Sequence, residues 1–115
     1  PFVPGDQATL AKRCAEIFEI QTAGLARRWE HTGSKKLILG LSGGLDSTLA
    51  LIVASRTCGL LGRSRKSILA VTMPGFGTTA RTRSLALRLA ETSGVSVREI
   101  GLLPHGRCLR SQREE

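Results

Sequence analysis

The chain has 115 residues, enough for one small domain and too few for a multidomain enzyme. Aromatic residues are only 3% of it, so a core must be built from Leu, Ile, Val and Ala, which suits helix-covered parallel strands better than an all-β sandwich. Lys and Arg number 17 against 9 Asp and Glu, an excess that favours anionic partners. Because no aromatic platforms interleave with that charge, a solvated basic surface is the better reading and nucleic acid is not expected.

Asp6 follows a Pro4-Gly5 breaker and is a plausible N-cap. Leu10, Cys14, Ile17, Phe18, Leu25 and Trp29 then recur at near-helical spacing, predicting a long amphipathic helix that ends near Gly33. Lys36 to Leu41 reads as a short apolar strand. Ser47 to about Leu61 is apolar almost all round and is predicted to be a helix buried on more than one side. Gly62 with Arg63, Arg65 and Lys66 makes an exposed connection. Ser67 to Met73 is a second buried strand stopped by Pro74-Gly75. Thr78 to Thr82 is a loop or helix start, and a helix from about Arg83 to Ser93 stops at Gly94. Val95 to Ile100 gives a third strand. Beyond Leu103 the sequence has no period and reads as an irregular tail.

Strands alternating with helices imply a parallel sheet, so the class is α/β. Cys14, Cys58 and Cys108 form no CxxC pair and fit reduced cytoplasmic thiols better than a disulfide scaffold. Cys14 and Cys58 are expected as small core residues. His31 and His105 lack metal-ligand spacing with any Cys. No secretory signal precedes the first helix, and the longest apolar run, Leu49 to Ala54, falls well short of the ~20 residues a membrane span needs. A chain that starts at Pro1 without Met is expected to be cut from something longer.

The informative stretch is Gly40-Leu41-Ser42-Gly43-Gly44-Leu45-Asp46-Ser47-Thr48, where a strand turns into a helix. A helix N-terminus offers unpaired N–H groups and partial positive charge, both favourable to phosphate. Gly43 and Gly44 lack the Cβ atoms that would keep backbone donors away from phosphate oxygens, and Ser42, Ser47 and Thr48 add hydroxyls. Asp46 would repel phosphate unless a cation such as Mg²⁺ lay between them. The spacing matches neither the mononucleotide P-loop nor GxGxxG. The plainer alternative is a Gly-rich turn with Asp46 or Ser47 as N-cap.

Ser42 to Ser47 (SGGLDS) resembles the signature of the ATP pyrophosphatases, which split ATP between its α and β phosphates. Thr72 to Thr79 (TMPGFGTT) is similar to the segment after the second strand in glutamine-dependent NAD synthetases, and the likeness runs from about Asp6 to Ile100. It implies a Rossmann-like sheet of the adenine nucleotide alpha hydrolase type. Helices would lie on both faces, and about three strands would be present. Residues 1–103 would be a partial synthetase domain and 104–115 a tail. By this resemblance Gly40, Leu41, Ser42, Gly43, Gly44, Leu45, Asp46 and Ser47 surround the ATP phosphates, with Asp46 on Mg²⁺. Ser42, Asp46 and Ser47 act in the chemistry, Met73 lies against adenine and Thr79 is near the nucleotide. An ordinary core position at a strand end remains an equal alternative for Met73.

The implied reaction is ATP-dependent amidation of deamido-NAD to NAD through an adenylate, with ammonia supplied free or from glutamine, in a homo-oligomeric parent. The chain departs from the pattern at Ala80, where an acidic residue is expected, and after Ile100. The 115 residues alone are therefore expected to be inactive. The rival readings are another ATP pyrophosphatase (GMP synthetase or a tRNA-modifying type) and a non-catalytic nucleotide- or RNA-binding fragment. The Met73 to Thr79 segment argues against the first of these.

Overall fold

The computed structural model describes residues 3–73, 80–102 and 108–110, with the backbone alone at 101–102 and 108–110. Helix α1 runs Gln7–Thr32. The Asp6 carboxylate accepts hydrogen bonds from the amides of Ala8 (2.9 Å) and Thr9 (3.3 Å), and Gly33 closes the helix in the left-handed conformation. Hydrogen bonds from Thr9 and from the Ala8 amide hold the Asp6 carboxyl below its ordinary pKa. The caps lie where the sequence put them.

The sheet has strands β1 (Leu37–Gly40), β2 (Ile68–Thr72), β3 (Ser96–Leu102) and β4 (Cys108–Arg110) in the order β1-β2-β3-β4. β1 to β3 are parallel, while β4 pairs antiparallel with β3. The expected irregular tail thus contributes a short strand. Three residues are too few to show an alternating pattern, so pairing with the edge of β3 decides their conformation.

Helices α2 (Leu45–Leu61) and α3 (Ala80–Ser93) make the two crossovers. Register places Leu37 beside Ile68 and Leu39 beside Ala70, with Ala70 beside Val97, so these residues share one face. The core on that face holds Ile68, Ala70, Leu51, Ala54, Cys58, Ala86 and Ala90, drawn from β2, α2 and α3. Both crossover helices therefore cover the same side, whereas helices on both faces were expected. A sheet whose strands step 1-2-3 in one direction, with crossovers of one hand, puts its helices on one side. On the other side Ile38 is 69% exposed. The parallel α/β class stands, with one layer of helices over the sheet among the described residues.

α1 packs on α2. Thr22 and Thr57 are buried where they meet, their hydroxyls donating to Phe18 O (2.7 Å) and Val53 O (2.8 Å). Trp29 anchors the C-terminal end of α1, its Nε1 donating to Ser34 O at 2.7 Å. Arg63, in the connection expected to be exposed, lies 4.6 Å over the Trp29 ring and donates to the same carbonyl at 2.9 Å.

Two burial expectations fail. Cys14 and Ile17 are exposed, because this stretch of α1 faces Arg56 and Leu60 of α2 with Ala15, Phe18, Glu19 and Thr22, which turns Cys14 and Ile17 away from the contact. α2 buries Leu51, Val53, Ala54, Thr57 and Cys58 but exposes Leu45, Leu49, Ile52 and Leu60. A helix apolar all round does not reveal which side its neighbours will cover.

Candidate functional site

β1 ends at Gly40, and the Leu41 amide bonds Val71 O at 2.8 Å, continuing the ladder one residue further. Leu41 is buried in the core, so it sets the direction of the turn and offers neither side chain nor amide to a ligand. Gly40 has open space where a Cβ would stand. The chain then bends through Ser42, Gly43 and Gly44 into α2.

Gly43 has φ 85°, a left-handed conformation that favours glycine. A Cβ there would stand 2.5 Å from the carbonyl oxygen of Thr82, in the first turn of α3, so the two backbones can approach this closely only because residue 43 carries no side chain. At Gly44 a Cβ would meet Ser42 Oγ at 3.3 Å, a milder contact. Gly44 is the N-cap of α2 and makes no side-chain cap bond. The Asp46 or Ser47 cap considered from the sequence does not form: both lie inside the first helical turn, which begins two residues earlier than Ser47.

The two serines organise the bend. Ser42 N donates to Ser47 Oγ (3.2 Å), Gly44 N donates to Ser42 Oγ (3.2 Å), and the two hydroxyls are 3.1 Å apart. Ser47 Oγ also donates to Gly44 O at 3.2 Å, which leaves Ser42 as donor between the hydroxyls. Thr48 Oγ1 donates to Gly44 O at 2.7 Å. The amides of the first helical turn have no intrahelical carbonyl to bond, and Asp46 stands among them. Ser42, Gly44, Leu45 and Asp46 are exposed, and Gly43 and Ser47 half-buried, so the bend is open to solvent.

Met73 follows β2 at the same edge and is 55% exposed. Thr79 lies outside the described residues, as does most of the Met73–Thr79 segment. Thr72, which the sequence reading did not single out, ends β2 with a buried hydroxyl that has no hydrogen-bond partner among the described residues. Also missed was the ion pair of Arg83 with Glu99, joining the start of α3 to β3. Nothing in a single sequence pairs two charges sixteen residues apart on different elements. A groove of about 340 Å³ between α3 and β3, lined by Leu87, Val95 and Val97 with Lys66, Arg83 and Glu99, does not include the bend.

The fold and the bend together define an open parallel α/β domain with a glycine turn at the carboxyl end of its first strand, where such sheets take ligands. Comparison with known proteins makes that class particular. The NAD synthase family model matches residues 17–115, and the chain belongs to that family. A glutamine-dependent NAD(+) synthetase of Mycobacterium leprae is 47% identical over 102 residues, which is 89% of this chain and 15% of that protein. An NH(3)-dependent NAD(+) synthetase of Trichlorobacter lovleyi is 35% identical over 72 residues, covering 63% of this chain and 24% of its own. The solved structure of an NH3-dependent NAD synthetase from Campylobacter jejuni, in complex with the nitrate ion, matches with a TM-score of 0.63 at 24% identity. It covers 74% of this chain and 34% of that one, and at such identity it speaks for the fold alone.

Proposed function

We propose that this chain is the ATP-binding part of an enzyme that amidates deamido-NAD to NAD. The observation that carries the reading is the solvent-open bend from Ser42 to Ser47, leading into the first turn of α2, whose amides have no intrahelical acceptor and which includes Asp46. Membership of the NAD synthase family supports NAD formation as the overall reaction. The chain spans 15% of its mycobacterial relatives' length, so the remaining groups for the reaction belong to the longer protein.

ATP's phosphates would lie over the bend, accepting hydrogen bonds from the amides of Leu45 and Asp46 and from the serine hydroxyls. The amides of Ser42 and Gly44, now bonded to those hydroxyls, can turn to phosphate oxygens without leaving the bend. Met73, exposed at the same edge, offers a soft apolar face to adenine. The donor set suits Mg²⁺: one carboxylate and several hydroxyls, with no cluster of three acidic, His or Cys ligands among the described residues. The ion would take most of its ligands from triphosphate and water and supply charge neutralisation.

In the first step the nicotinate carboxylate attacks the α-phosphate, and pyrophosphate departs with its charge met by the bend's donors. In the second, ammonia, free or released from glutamine, displaces AMP to form the amide. No side chain of this segment acts as nucleophile. A cytoplasmic, homo-oligomeric parent fits the reading. No helix of the described residues is long and apolar enough to cross a membrane, and the apolar stripe on α2 offers surface for assembly.

The test is an assay of the longer protein for ATP-dependent amidation of deamido-NAD, with xanthylate as competitor substrate. Deamido-NAD should be amidated and xanthylate left unchanged, while the 115-residue chain alone gives no turnover. Amidation of xanthylate instead would move the chain to a different ATP pyrophosphatase.

A further inference from the structure

We infer that the ion pair between Arg83 and Glu99 is a clamp that positions the Ser42–Ser47 bend, acting through the first turn of α3. α3 begins with Arg81 and Arg83 close to its N-terminus and no acidic residue in its first turn. Cations there oppose the positive end of the helix dipole, so the turn is disposed to fray. The missing negative charge comes from another element. Glu99 lies on β3 on the same face as Val95 and Val97, beneath α3, and its carboxylate meets Arg83 Nε at 2.5 Å. The Glu99 side chain is 14% exposed against 51% for Arg83, so the strand holds the more fixed partner. The hydrogen bond from Arg83 and the attraction between the charges hold the guanidinium still more firmly protonated.

Thr82 stands next to Arg83 in that turn. The three atoms that a Cβ on Gly43 would meet most closely, at 2.5, 3.2 and 3.4 Å, are all Thr82 backbone. The contacts therefore run Glu99 to Arg83, along the chain to Thr82, and across to Gly43. Glycine has a broad choice of backbone angles, so a wall behind Gly43 decides which one the bend adopts. Arg83 and Glu99 touch no ligand in this account; they are positioning residues.

The effect on ligand affinity rests on the phosphate reading above, whereas the contacts stand without it. Two measurements on the 115-residue chain keep them apart. The first follows the amide resonances of Gly43 and Gly44 without nucleotide, in the wild type, Glu99→Gln, Arg83→Met and the charge swap Arg83→Glu/Glu99→Arg. Both single variants should shift these resonances while the core stays folded, and the swap should return them towards wild type. Unmoved resonances in a folded Glu99→Gln chain would overturn the clamp.

The second titrates ATP·Mg²⁺ and adenosine. Each single variant should weaken ATP by roughly 3- to 10-fold, leave adenosine unchanged, and recover in the swap. Equal losses for both ligands would overturn a role specific to the phosphate bend. If the wild type itself binds no ATP, the proposed function fails, and the resonance shifts still decide the clamp.

Discussion

Gly43 and Thr82 approach so closely that one added carbon would lie 2.5 Å from the Thr82 carbonyl oxygen. The contact joins the turn after β1 to the first turn of α3, and it makes the three glycines of this stretch unequal. Gly43→Ala is expected to cost roughly 1–3 kcal/mol in stability, from the left-handed backbone and the collision together. Gly44→Ala, at an ordinary φ of −81° with a 3.3 Å contact, should cost less, and Gly40→Ala, with nothing within 4 Å, least. Urea titration of the three variants checks the order.

A second expectation concerns the Ser34 carbonyl, shared by Trp29 and Arg63. Trp29→Phe leaves Arg63 as a donor to it and keeps most of the apolar contact, so the loss should be about 1 kcal/mol. Trp29→Ala opens a cavity in the core and should cost about 3–5 kcal/mol. Thermal unfolding followed by circular dichroism separates these magnitudes.

The cysteines give a third. Cys58 is buried, and loss of solvation raises its pKa, with Arg63 and Arg65 pulling the other way. A thiol whose pKa is higher folded than unfolded contributes stability below the unfolded value and loses it as pH rises through the folded one. Stability should therefore fall on the alkaline side of the ordinary thiol range, and Cys58→Ala should flatten that fall. Cys14, being exposed, should be alkylated in the native chain while Cys58 reacts only after unfolding. Peptide mapping after iodoacetamide reads both outcomes.

Local signals were legible in the sequence. Asp6 and Gly33 announced the ends of α1 because capping is decided within a few residues, and Ser42-Gly43-Gly44 announced the turn for the same reason. What the sequence withheld was decided by neighbours. The same apolar repetition covers Leu51, which is buried, and Leu49, which is 45% exposed, because the distinction depends on where α1 and the sheet lie. The one-sided layer follows from strand order, which no local pattern records. Arg83 falls within the basic surface expected from composition, and only the pairing of β2 with β3 sets Glu99 beneath it.

Calorimetric titration of the chain with ATP, in Mg²⁺ and in EDTA, decides whether the bend holds ATP with help from Asp46. Wild-type chain should bind ATP only when Mg²⁺ is present, and Asp46→Ala should lower that affinity by roughly tenfold or more. Equal affinity with and without the carboxylate, or binding indifferent to Mg²⁺, would contradict it.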